Sequence, residues 1–310
     1  MIKLLTYDVT NRPQVSAAPS SHHRKLTILL SQPRSGSSWI GSFFDSHPDV
    51  FYIYEPLHPQ VYRDSKIHLT AEKFQEEILR NLCRCEFTEE IISHGIQERS
   101  SKVSRSKGML GVLSPNADEL SEQCKRSKHT IAKVLQLKHF QMFTSLSKEC
   151  EINVIHLIRD PRASIKSRMD TFKRFLAEEQ EIEEFTPDII ADSSHKICTE
   201  ITTRANQLQR HNHLLQYSTI LYENVVKNPL EKAKELFRTV GIDWSASVEK
   251  RVLHSISGSS EGGGFDTVKD TSRLLGRWRR EAGEEYIRAV EQGCTQLMST
   301  VGYPLMFPDT

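Results

Sequence analysis

The sequence predicts an α/β protein, an open parallel sheet flanked by helices on both faces. Three observations carry that expectation. Short apolar runs of strand length recur at residues 26–31, 50–54, 129–135, 152–158 and 218–222. Segments with helical spacing lie between them, at 39–45, 71–82, 137–147, 161–175 and 195–217. The composition, 37% apolar and 26% charged over 310 residues, is that of a globular chain long enough to bury a sizeable core.

The elements follow in order. Residues 1–25 are polar, hold Pro13, Pro19 and a Ser/His cluster, and read as a flexible leader without a membrane anchor; residues 26–310 read as a single domain. Residues 26–31 are an apolar run closed by Pro33 and Gly36, the pattern of a buried strand ending in a turn. Trp39, Phe43 and Phe44 then share one helical face. Val50 to Tyr54 is rich in β-branched and aromatic residues and stops at Glu55-Pro56. Residues 99–107 are basic and aperiodic, a loop. Residues 152–158 form the clearest strand; Asp160-Pro161 after it places a helix cap before the residue favoured at the first helical position. Residues 176–184 are acidic and read as a solvated face or loop. A helix at 229–240 is closed by Gly241, residues 257–264 form a Gly/Ser loop, and a final helix spans 281–300.

Composition excludes several functions. Lys+Arg total 41 and Asp+Glu 40, so the chain lacks the basic excess of a general nucleic-acid binder. Its longest uninterrupted apolar run is five residues, far short of the roughly 20 that cross a bilayer. The six cysteines form no C-x-x-C pair, and no metal site is expected from them.

Two segments carry chemistry. Gln32-Pro33-Arg34-Ser35-Gly36-Ser37-Ser38-Trp39 lies between a strand and a helix, where unsatisfied N–H groups attract anions. Gly36 permits close backbone approach, the serines add hydroxyl donors, and Arg34 adds a permanent positive fork. The Walker A pattern needs a lysine after its second glycine, and none stands here, which disfavours an ordinary ATP or GTP site. A second candidate clamp is Arg159 at the carboxyl end of the 152–158 strand, with Ser167 eight positions on. Each segment alone reads as a helix cap or a surface arginine. Together they suit a ligand with two separated phosphate groups.

These motifs resemble those of the Golgi carbohydrate 6-O-sulfotransferases. Ser31 to Trp39 is similar to that family's 5′-phosphosulfate loop, and Val154 to Ser164 resembles its 3′-phosphate segment. Asp49 to Leu57, Tyr222 to Pro229, Cys294 and Gly302-Tyr303 match further family segments, so the likeness runs from about residue 26 to 305. The resemblance implies a P-loop-like sulfotransferase fold. It implies 3′-phosphoadenosine 5′-phosphosulfate (PAPS) as donor, 3′-phosphoadenosine 5′-phosphate as product, no metal, and a glycan acceptor bearing N-acetylglucosamine, galactose or N-acetylgalactosamine. Arg34, Ser35, Gly36, Ser37, Ser38 and Trp39 would hold the 5′-phosphosulfate, and Arg159 and Ser167 the 3′-phosphate. Tyr222 would lie near the adenine, and Arg273 would be a late phosphate or adenine contact. The resemblance places the protein in the Golgi lumen. Two departures stand against it: no signal anchor and no N-x-[ST] sequon occur, and a chain complete as given would be cytoplasmic. For a luminal enzyme, Cys198–Cys294 and Cys85–Cys124 are the expected bridges, with buried free thiols as the alternative.

The reaction would move a sulfuryl group to a sugar hydroxyl. Arg34 would stabilise developing negative charge, and Glu55 is the candidate general base, a buried position raising its pKa. The alternative for Glu55 is a strand-terminating carboxylate bonding loop amides. His47, His58 and His156 are further acid–base candidates; His156, inside an apolar strand, reads as a core residue. Trp278, among Arg277, Arg279 and Arg280, reads as a packing residue. The competing functions are a degenerate P-loop kinase or hydrolase and a non-catalytic glycan-binding protein.

Overall fold

In the computed structural model the described residues are 24–58, 69–89, 116–176, 185–257 and 275–307. Residues 1–23 of the leader, the basic 99–107 loop, nearly all of the acidic 176–184 stretch, most of the Gly/Ser loop and Arg273 lie outside them, while Lys25, at the end of the expected leader, opens the first strand.

Five parallel strands form one sheet in the order β2-β3-β1-β4-β5. They are β1 (Lys25–Ser31), β2 (Val50–Tyr54), β3 (His129–Val134), β4 (Glu151–Ile158) and β5 (Gln216–Leu221). In register, Leu29 of β1 faces Lys133 of β3 on one side and Ile155 of β4 on the other. The intervening helices are α1 (Ser37–Asp45), α2 (Ala71–Arg84), α3 (Ala117–Arg126), α4 (Phe143–Leu146), α5 (Pro161–Leu176) and α6 (Pro187–Arg210). After β5 come α7 (Tyr222–Lys227), α8 (Pro229–Thr239), α9 (Ala246–Ile256), α10 (Arg277–Glu281) and α11 (Glu284–Val301).

Both sheet faces are covered, as a parallel sheet requires. Leu26, Ile28 and Leu30 pack with α2, α3 and the Phe140–Leu146 segment on one face. Leu29, Ile131, Ile155 and Leu157 pack with α1, α8 and α9 on the other. The period-2 alternation of β1 thus feeds two cores. A third core joins α5, α6, α10 and α11.

Two element assignments need correction. The expected 137–147 helix shrinks to Phe143–Leu146. Its apolar residues recur at intervals of three (Leu137, Phe140, Phe143, Leu146), and the backbone there closes in i→i+3 bonds such as Phe143 N–H to Phe140 O at 3.1 Å. The expected 195–217 helix instead spans Pro187–Arg210. Thr186 caps Ile189 N–H with Pro187 at the helix start, a start signal that polar flanks obscured. Helices α3 and α9, capped by Asn116 and Ser245, were absent from the pattern reading.

Disulfides join Cys85–Cys124 and Cys198–Cys294, the two bridges expected for a luminal enzyme, and also Cys83–Cys150. Among the described residues no helix is long and apolar enough to cross a membrane.

Candidate active site

The strand order sets the location. The chain leaves β1 toward β2 on one side of the sheet and leaves β4 toward β5 on the other, so the carboxyl ends of β1 and β4 flank a topological switch point. The two motifs follow those adjacent strands.

The first loop turns on Gly36, which precedes α1 with φ +88°. A Cβ there would overlap the Tyr222 ring, lying 2.6 Å from Cδ2. Only glycine relieves both constraints. Gly36 offers α1 no capping side chain, and Ser37 and Ser38 open its first turn. Arg34 also has positive φ, +66°, a strained conformation for a side-chain-bearing residue of the kind found at functional sites.

The second segment closes on the first. Arg159 Nη1 donates to Arg34 O at 2.9 Å, and Arg34 Nε donates to Ser167 Oγ at 3.0 Å. The Arg159 guanidinium lies 4.6 Å from the centroid of the Tyr222 ring. Tyr222 therefore touches both clamps, with its hydroxyl pushed up by burial and drawn down by Arg159. Arg159 Nε and Ser35 Oγ are buried without hydrogen-bond partners among the described residues. Orphaned buried donors are costly, and these two belong to the turns that follow β1 and β4.

Arg168, next to Ser167, supports the loop from behind. Its Nε donates to Pro33 O at 3.1 Å and its Nη2 to Gln32 Oε1 at 3.2 Å. Burial, reinforced by nearby Arg204, lowers its pKa to about 10.

The expected residues fall into three groups. Arg34, Ser35, Gly36, Ser37, Ser38, Arg159, Ser167 and Tyr222 come together. Trp39 does not join them with its side chain: it is 2% exposed, and its indole N–H donates to Ser255 Oγ at 2.9 Å. Its position on the buried stripe of α1 turns it to the core. Arg273 lies outside the described residues.

Glu55 follows β2 with φ +50° and is buried, its carboxylate paired to the Lys133 ammonium. The side chains are 4% and 3% exposed. Lys133 Nζ also lies 4.0 Å from the Tyr54 ring centroid, and Tyr54 Oη reaches Ser38 Oγ of the loop at 3.3 Å. The carboxylate expected to be perturbed by burial alone therefore has a buried cation as partner. Sequence reasoning missed Lys133, although a lysine inside the run Thr130-Ile131-Ala132-Lys133-Val134 was a readable signal.

Of the other acid–base candidates, His58 donates its backbone N–H to Glu55 O at 3.1 Å, and the rings of His47 and His156 are held in structural contacts. His47 Nδ1 accepts Asp49 N–H at 3.1 Å, and its Nε2 contacts Asp243 O at 3.0 Å. His156 is fully buried, with Nδ1 3.1 Å from Tyr217 Oη and Nε2 unpartnered among the described residues. Trp278 is buried between the guanidinium groups of Arg162 and Arg279. Asp160 caps α5, accepting Arg162 N–H at 3.0 Å.

A sulfotransferase domain model matches residues 24–302. The chain belongs to the sulfotransferase family. Its relatives include carbohydrate sulfotransferase 3 of Homo sapiens, 26% identical over 95% of this chain and 69% of that protein. They also include carbohydrate sulfotransferase 1 of Danio rerio, 24% identical over 92% of this chain and 79% of that protein. Among solved structures, the sulfotransferase domain from the Curacin biosynthetic pathway aligns with a TM-score of 0.53 at 15% identity, over 92% of this chain and all of that one. That likeness shows the fold. The enzyme is a sulfotransferase, and Glu55, Lys133 and the two clamps lie within its matched domain.

Proposed function

We propose that this sulfotransferase moves a sulfuryl group from PAPS to a sugar hydroxyl, the 6-OH of N-acetylglucosamine or galactose in a glycan. One observation carries the donor assignment: the clamps of Arg34 and Arg159 meet at the switch point, bonded to each other at 2.9 Å. A donor with phosphate groups at two ends of one nucleoside suits two cationic clamps side by side. The glycan acceptor rests on the likeness to carbohydrate sulfotransferases 1 and 3.

The loop of residues 34–38 binds the 5′-phosphosulfate through first-turn N–H groups and the Arg34 fork. Arg159 and Ser167 bind the 3′-phosphate. Tyr222 sets the spacing between them by packing on Gly36 and under Arg159. Transfer of the electron-poor sulfuryl group needs positioning and charge stabilisation, by analogy with phosphoryl transfer. Arg34 offsets the negative charge that builds on the leaving phosphate oxygen. Glu55 takes the proton of the sugar hydroxyl, while Lys133 fixes the carboxylate and supplies the counter-charge its burial demands. Three disulfides favour an oxidising compartment, which suits the Golgi lumen.

The test is sulfate transfer from labelled PAPS to a panel of oligosaccharides ending in N-acetylglucosamine, galactose or N-acetylgalactosamine. Transfer to the first two is expected. Folded protein that binds 3′-phosphoadenosine 5′-phosphate yet sulfates none of them refutes the acceptor. In protein shown to be folded by its unfolding transition, Glu55→Gln should keep nucleotide affinity and lower turnover by about 10²–10⁴; normal turnover would remove Glu55 as base.

A further inference from the structure

The chain segment after α11 folds back onto the turn that presents Arg159. Tyr303 Oη donates to Glu223 Oε2 at 2.5 Å, and Glu223 Oε1 accepts Asp160 N–H at 3.1 Å. Asp160 directly follows Arg159. A second strap runs beside the first. Arg162, 0% exposed, donates from Nη1 to Pro304 O at 3.0 Å and to Glu291 Oε1 at 2.5 Å. Glu291 in turn accepts Met306 N–H at 2.9 Å and Phe307 N–H at 3.1 Å.

Cohesion alone does not explain these groups. A buried carboxylate costs free energy unless its oxygens are partnered, and an apolar residue at 223 would join the segments without that cost. Burial holds the Glu223 carboxyl above the usual carboxylate range, and Tyr303 and Asp160 N–H act against it. The arrangement has one outlet. Glu223 and Tyr222 are consecutive at the start of α7: one grips the backbone just after Arg159, and the other lies under its guanidinium.

We infer that Tyr303, acting through Glu223, is a positioning residue for Arg159, so that the segment after α11 is part of the apparatus that recognises the 3′-phosphate. The inference rests on the donor reading above. It assigns to Tyr303 selectivity between nucleotides, with no contact to the reacting atoms.

The experiment measures affinity of the full chain for 3′-phosphoadenosine 5′-phosphate and for adenosine 5′-phosphate by calorimetry, with thermal midpoints recorded alongside. Wild type should prefer the bisphosphate, and Arg159→Ala should bring the ratio close to one. Tyr303→Phe should lower bisphosphate affinity about three- to tenfold while leaving monophosphate affinity unchanged. In turnover it should raise KM for PAPS and leave kcat in place. Glu223→Gln keeps the shape and removes the charge. It should shift the ratio the same way by a smaller factor, and it supplies the test if Tyr303→Phe does not fold. An unchanged ratio in a folded variant, with Arg159→Ala abolishing the preference, overturns the inference and leaves the donor reading intact. A wild type that does not prefer the bisphosphate overturns the donor reading itself.

Discussion

Replacing Lys133 with methionine should destabilise the protein severely, and the structure sets the size. Lys133 and Glu55 form an ion pair with side chains 3% and 4% exposed. Removing one partner of such a pair strands the other charge in the interior, at about 3–5 kcal/mol. Net stability of a folded domain is about 5–15 kcal/mol, so a third or more would be lost in many cases. Methionine keeps most of the aliphatic stem, so cavity formation contributes little, although the ammonium over the Tyr54 ring is lost. Loss of the ammonium that pairs with the buried Glu55 carboxylate is then the main cost. The double variant separates charge from packing more sharply. Lys133→Met with Glu55→Gln removes both charges of this pair, and the remaining cost should be that of an imperfectly bonded amide, about 1–3 kcal/mol. The assay is urea unfolding with the disulfides intact, comparing both single variants, the double variant and wild type as a double-mutant cycle. A loss below about 1 kcal/mol for Lys133→Met would show that water or another group screens Glu55. A double variant costing as much as the two singles summed would refute the pairing.

Two further outcomes follow from the geometry. Gly36→Ala forces a side chain onto a backbone with φ +88° and into the Tyr222 ring. The left-handed backbone costs about 1–2 kcal/mol and overpacking about 1–3; denaturation midpoint and nucleotide affinity should fall together, and full retention of both would contradict the packing of Tyr222 on the loop. His156→Gln should change the acid response. Burial first, and Arg204 second, lower the His156 pKa from 6.5 to about 3. Between those values the unfolded chain binds a proton that the native state refuses. Wild-type stability is therefore complete above pH 6.5 and declines as pH falls, by at most about 1.4 kcal/mol per unit from this group. The variant should show a shallower decline between pH 6 and 4 in pH-dependent unfolding; an identical slope would show that His156 is already charged in the fold.

Much of the site was legible because its chemistry is local in the chain. Arg34 through Ser38 are consecutive, and their function as a turn before a helix depends on backbone groups that such a turn always exposes. Arg159 and Ser167 lie eight positions apart, one just before α5 and the other within it. Strand assignments at 50–54 and 152–158 matched the structure closely because buried parallel strands read as continuous apolar runs. Helices with mixed polar composition were harder. In α3, Asp118 and Glu119 at the start and Lys125 and Arg126 at the end agree with capping and dipole rules, yet its apolar stripe is short.

The sequence by itself determined the alternation of strands and helices, the two arginine-bearing turns after β1 and β4 and the absence of a Walker lysine, because each depends on residues within about ten positions of one another. Tertiary structure alone decided that Lys133 meets Glu55 across 78 positions, that Trp39 turns to Ser255, and that Tyr303 reaches Glu223 across 80. Pairings of that kind are set by strand order and by how helices cover the sheet. A local pattern records which side chains need partners, and only the packed chain determines which partners they receive.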